Sequence, residues 1–163
     1  MADLRELLRR LGYGSVGTVL NSGNAVFDAS PAPESHHAPR IQRAIVEELG
    51  VDTLVIVKSA EQIATVMAGN ALASLPSDPS RLLVALTQDR ESLAALKPLA
   101  TLASSDEQLR VGRDAAYLWC AQGMLQSKVA VGLLEGLGDS GPTRNWATLQ
   151  KIQALMQKAG SAS

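Results

Sequence analysis

The sequence predicts an α+β protein made of two similar halves, and three observations point that way. Apolar residues recur at the helical period in some segments and run unbroken at strand length in others. A proline- and serine-rich break, Pro76-Ser77-Asp78-Pro79-Ser80, divides the 163 residues near their middle. The alternation of helix and strand before that break is repeated after it, which places the halves at 1–75 and 76–163.

The elements follow in order. Asp3 with Glu6 three residues on resembles an N-terminal cap, and Leu4, Leu7, Leu8 and Leu11 then share one helical face until Gly12. Val16 to Leu20 and Ala25 to Phe27 read as two strands, joined by Asn21-Ser22-Gly23-Asn24, residues tolerant of positive φ. Ser30 to Pro39 holds three prolines, which predicts a loop and excludes a regular helix until after Pro39. The next helix places Ile41, Ala44, Ile45 and Leu49 on one side and ends near Gly50. Thr53 to Val57 is an apolar run of buried-strand length, and Ser59 with Gln62 then opens a helix that turns Ile63, Val66 and Met67 inward. Beyond the break, Arg81 to Leu86 reads as a strand, Arg90 to Leu102 as a helix, and Gln108 to Gly112 with Ala115 to Cys120 as a strand pair. Lys128 to Leu137 is a helix, and the last helix starts at Thr143 with Trp146, Leu149, Ile152 and Met156 inward. Two halves that each carry a hairpin followed by a helix suggest paired ferredoxin-like (α/β-plait) units.

Composition narrows the class of function. The chain is 46% hydrophobic, enough for a packed core without staples, and its single cysteine, Cys120, makes no internal disulfide. A reducing cytoplasm is the expected compartment. The N-terminal stretch interleaves charges with leucines, unlike a secretory signal, and no apolar run approaches the roughly 20 residues that cross a bilayer. No membrane partner is expected. A net charge of −1 denies the chain the positive field of proteins that hold nucleic acid through phosphates, although the stretch from Gln108 onward is mildly cationic. Nothing in the sequence sets an oligomeric state.

Four segments carry a resemblance. Leu20 to Phe27 forms a Ser-Gly-Asn hairpin; Val55-Ile56-Val57-Lys58-Ser59-Ala60-Glu61 runs from strand into helix. Ala116-Tyr117-Leu118-Trp119, followed by Gly123 and Ser127-Lys128, makes a second hairpin and helix start, and Thr143-Arg144-Asn145-Trp146 closes the chain. In this order they resemble, over nearly the whole length, the bacterial family known as domain of unknown function 1697. That family has no settled function, so the resemblance implies an architecture and no activity. Its members usually begin with an extra strand and a Gly-rich loop, which have no counterpart here, and Met1 aligns with a methionine inside the family's first helix. The expectation is a misassigned start or a truncation. In a ferredoxin-like unit that first strand is central, so its deletion predicts an unstable first half, or one closed by an exchanged segment or a partner chain.

Arg144 and Asn145 head the candidate site, because a helix start offers amide groups and a favourable dipole to an anion that a guanidinium can grip bidentately. Lys128, after Ser127 at another helix start, is placed to bring a second cation toward it, and Ser22, Gly23 and Asn24 offer a polar turn. Each has a plain structural reading as well: Thr143 capping a helix, Trp146 filling the core, Lys128 solvated, the triplet making a hairpin. The leading expectation is a binding module for a small anionic metabolite held between the halves. A second is single-stranded nucleic-acid binding on Tyr117 and Trp119, which share one strand face, although a buried hydrophobic pair accounts for them better. A third is an enzyme using Asn24, Arg144 and an unidentified carboxylate. No cofactor is implied, since the glycines form no nucleotide-binding fingerprint and Gly132-x-x-x-Gly136 lacks the flanking lysine. His36 and His37 read as a solvated loop rather than metal ligands, Cys120 as a packed thiol, and no Ser-His-Asp set can be assembled.

Overall fold

The computed structural model describes residues 1–21, 23–29, 34–75 and 78–161. Its elements are α1 (Ala2–Arg10), β1 (Gly14–Val19), β2 (Asn24–Asp28), α2 (Glu34–Leu49), α3 (Ala60–Ala68), β3 (Leu82–Ala85), α4 (Arg90–Ala94), β4 (Glu107–Val111), β5 (Ala116–Cys120), α5 (Lys128–Leu137), β6 (Thr143–Asn145) and α6 (Trp146–Ser161). The strands form two antiparallel sheets, β1-β2 and β4-β5-β3-β6, so the class is α+β as expected. Among the described residues no helix is long and apolar enough to cross a membrane.

Two compact units divide the chain, one of residues 1–60 with 150–163 and one of residues 61–149. This differs from halves at 1–75 and 76–163 for two reasons of packing. α3 is tied to the second unit, where the Tyr117 hydroxyl donates to the Val66 carbonyl at 2.6 Å. The end of α6 belongs to the first, where Leu155 lies so close to β1 that a methyl group on Gly17 would meet it at 3.0 Å. Pro76 and Ser77, at the expected boundary, fall outside the described residues.

In the first unit the leucine stripe of α1 does what its spacing predicts. Leu7 and Leu8 are buried with Tyr13 and with Ile41, Ala44 and Ile45 of α2, and Phe27, Val55 and Val57 pack around them. β1 carries a bulge, its register stepping from Gly14 opposite Asp28 to Gly17 opposite Val26, with Ser15 at φ 48°. Two expectations are corrected here. α2 begins at Glu34 and runs through Pro39, because a proline in the second turn removes one backbone bond while the apolar face beyond it anchors the helix to the core. Thr53 to Val57 forms no strand: residues 51–59 join neither sheet, and of their apolar side chains Val55 and Val57 pack against the core while Val51 and Leu54 are exposed.

In the second unit the register sorts every strand residue onto one of two faces, since directly paired residues of antiparallel strands point the same way. Leu83 and Ala85 of β3 face α4 and α5 together with Leu109, Ala116, Leu118 and Cys120, and Val129, Ala130, Leu133 and Leu137 of α5 complete that core. The opposite face holds Gln108, Trp119 and Leu82 in one row and Arg110, Tyr117, Val84 and Arg144 in the next. The helix expected over Arg90 to Leu102 stops after Ala94 and resumes as a 3₁₀ segment, Lys97–Leu102, because Pro98 cannot supply an interior amide. That segment presses on α5: a methyl group on Gly132 would lie 2.8 Å from Leu99 Cδ2, which accounts for a glycine in mid-helix.

The chain's end shows the largest local difference. Thr143–Asn145 is a strand, not the first turn of a helix, and it pairs with β3 through Ala85–Thr143, Val84–Arg144 and Leu83–Asn145. The backbone edge of the fully buried β3 requires such a partner. α6 therefore starts at Trp146, and the cap is Asn145, whose Oδ1 accepts from the Thr148 amide at 2.8 Å.

Candidate functional site

Arg144 sits mid-strand on β6, partly buried, on the sheet face it shares with Val84 and Tyr117. Its Nη1 donates to the neighbouring Thr143 carbonyl at 2.8 Å. Burial pushes its pKa below the ordinary guanidinium value, which means that the charge is held where water solvates it poorly. A carboxylate or phosphate reaching it would regain what solvation the fold removes. Asn145 is partly buried beside it, with its oxygen committed to the α6 cap.

Lys128 is the first residue of α5 and is exposed. Ser127 caps this helix, its Oγ accepting from the Ala130 amide at 3.0 Å. The lysine and Arg144 are not brought together. α5 covers the Leu83 face of the four-stranded sheet, whereas Arg144 projects from the Val84 face, so the sheet itself separates the two cations. Alternation along β3 decides this, and it depends on a pairing register that the sequence alone does not display.

The Ser-Gly-Asn turn belongs to the first unit. Gly23 adopts φ 76°, and Asn24 is buried with Nδ2 donating to the Val19 carbonyl at 3.2 Å, closing the hairpin that leads into β2. Ser22 lies outside the described residues.

Tyr117 and Trp119 share a strand face but not an environment. Tyr117 is buried beneath α3, and desolvation, followed by the negative charge of Asp114, pushes its pKa up to about 12. Trp119 is partly exposed beside Leu82 and Gln108. A stacking pair for bases therefore loses its tyrosine to the core. Cys120 is fully buried, and burial raises its thiol pKa, with Ser127 hydrogen bonding opposing the shift.

One constellation escaped the sequence reading. His37 is not in a solvated loop; it lies on α2, buried, with Nδ1 2.9 Å from the Tyr13 hydroxyl. The Tyr13 and Phe27 rings pack 4.5 Å apart, tilted by 44°, and Arg40 lies 5.5 Å from the Tyr13 ring while donating to the Leu11 carbonyl at 2.7 Å. The signal was the spacing of His37, Ile41, Ala44 and Ile45 on one helical face, which the prolines masked. A shallow depression of about 370 Å³ also runs along α2, lined by Pro39, Gln42, Arg43, Val46 and Glu47, none of them named in the sequence as a site residue. Among the described residues no group of three His, Cys, Asp or Glu side chains is gathered as a metal would need.

Of the four segments that carry the resemblance, the family comparison covers the first two in full and includes neither Lys128 nor Arg144. The family model described as "Protein of unknown function (DUF1697)" matches residues 1–117, which include the Ser-Gly-Asn hairpin. The chain belongs to the DUF1697 family. A DUF1697 assignment carries no activity with it. The fold is similar to that of "conserved bacterial protein SP0830 from Streptococcus pneumoniae", with a TM-score of 0.73 at 21% identity, covering 96% of this chain and 88% of that one. At that identity the likeness speaks for the fold. No curated protein matches this DUF1697 chain.

Proposed function

We propose that this protein is a binding module for a small anionic molecule, with Arg144 as the residue that engages the anion. The observation that carries the reading is a guanidinium set into a sheet face on the edge strand β6, partly buried and held where water solvates its charge poorly. Lys128 plays no part in that contact, being on the other side of the sheet. The architecture that presents Arg144 is ferredoxin-like in the second unit. What supports this is the order β3, α4, β4, β5, α5, β6 and an all-antiparallel sheet with β3 and β5 central. The first unit repeats part of that order as α1, β1, β2, α2.

Isothermal titration against nucleotides and phosphorylated metabolites tests the proposal. Saturable binding is expected, weakened in Arg144→Ala by at least about 1.5 kcal/mol, as for a charge-assisted hydrogen bond, and unchanged in Lys128→Ala. Equal affinity in Arg144→Ala and the parent removes Arg144 from the site.

A further inference from the structure

We infer that the outer face of α5 pairs with the same face of a second copy of this chain, the two helices antiparallel about a twofold axis. α5 buries Val129, Ala130, Leu133 and Leu137 and turns its other side to solvent. That side carries Lys128, Val131, Leu134 and Glu135, spaced by three and four residues and so in one stripe. Val131 is 49% exposed and Leu134 55%, and Leu125, in the turn that leads into the helix, is wholly exposed. Aliphatic surface grouped this closely marks an interaction face more than a solvated one.

The charges identify the occupant. Lys128 stands at the N-terminal end of α5, where the helix dipole is positive, and Glu135 in its last turn, where it is negative. Both are placed against the field of their own helix. Neither forms an ion pair with another described residue. Antiparallel pairing reverses every sign. In the register that sets Lys128 of each copy opposite Glu135 of the other, each ammonium meets a helix C-terminus and each carboxylate a helix N-terminus. Val131 and Leu134 leave water in the same step. A partner surface of single charge would match one end of the stripe and repel the other, whereas a second copy matches both by symmetry. The face lies on the side of the sheet away from Arg144, so this pairing stands apart from the anion site.

Sedimentation velocity over a concentration series of the full chain tests the pairing. A reversible monomer–dimer equilibrium is expected. Lys128→Glu sets carboxylate against carboxylate twice and weakens association about tenfold, as expected when two exposed pairs turn from attractive to repulsive. The double variant Lys128→Glu with Glu135→Lys restores it, and Leu134→Gln weakens it without touching a charge. Each charge substitution improves the match with the dipole of its own helix, so the folded state is retained, and thermal melts followed by circular dichroism check this directly. A chain that stays monomeric at its highest soluble concentration overturns the inference. So does a Lys128→Glu variant that dimerises as tightly as the parent, or a charge swap that fails to rescue.

Discussion

Tyr117 is 3% exposed, yet its hydroxyl is satisfied, because the Val66 carbonyl near the end of α3 accepts from it at 2.6 Å. Removing the hydroxyl leaves that carbonyl without the bond, so Tyr117→Phe is expected to cost about 1–2 kcal/mol at neutral pH. The same residue gives the fold an alkaline limit. An unfolded tyrosine ionises near pH 10, while the folded Tyr117 keeps its proton until about 12. Across that window the unfolded chain binds fewer protons, so this contribution to stability is complete below pH 10 and is lost as pH rises toward 12. Urea unfolding of the parent and Tyr117→Phe at pH 7 and pH 11 measures both effects: the difference between the two proteins should shrink at the higher pH. A difference independent of pH would mean that the phenol is not desolvated. At this scale the sequence disclosed residue chemistry well and environment poorly. Asn24 and Asn145 were singled out as polar ligands, and each instead directs a side-chain group to the backbone, one closing a hairpin and the other capping a helix.

β6 is the element on which the second unit's sheet depends for its edge, and Gly141 is what lets it approach. A methyl group built on Gly141 would stand 1.8 Å from the Leu86 carbonyl oxygen, while the Leu86 amide donates to the Pro142 carbonyl at 3.0 Å. Backbone on both sides leaves no flexible group to yield. Gly141→Ala is therefore expected to destabilise the protein by about 3 kcal/mol or more, at the upper end of overpacking substitutions. Chemical denaturation measures it, and a neutral result would show that Thr143–Asn145 does not pair with β3 as described. Helices with a clear apolar stripe, such as α1, were legible in the sequence because their stabilising pattern is local. β6 was not, since three polar residues become a strand only when an exposed sheet edge asks for hydrogen bonds.

The two units differ in how their backbones are paired. Among the described residues the second has a four-stranded sheet with β3 buried throughout, and the first has a sheet of β1 and β2, with residues 51–59 outside either sheet. Two-stranded ribbons open more readily than central strands, and opening energies vary along a chain accordingly. Native-state hydrogen exchange is therefore expected to release the amides of residues 14–28 well before those of residues 82–85 and 116–120. Uniform protection across both sets would show that the chain opens as one cooperative body.

By itself the sequence determined the α+β class, the amphipathic face of α1, the helix over Lys128 to Leu137, the tight Gly23 turn and the burial of Cys120, all of which follow from residue type and spacing within a dozen positions. The tertiary structure alone decided which of those elements share a unit, and on which side of a sheet each charge emerges. Alternation along a strand is fixed by register, and register is set by partners distant in the chain. For that reason Arg144 and Lys128, alike in the sequence as cations near helix starts, end on opposite faces of one sheet.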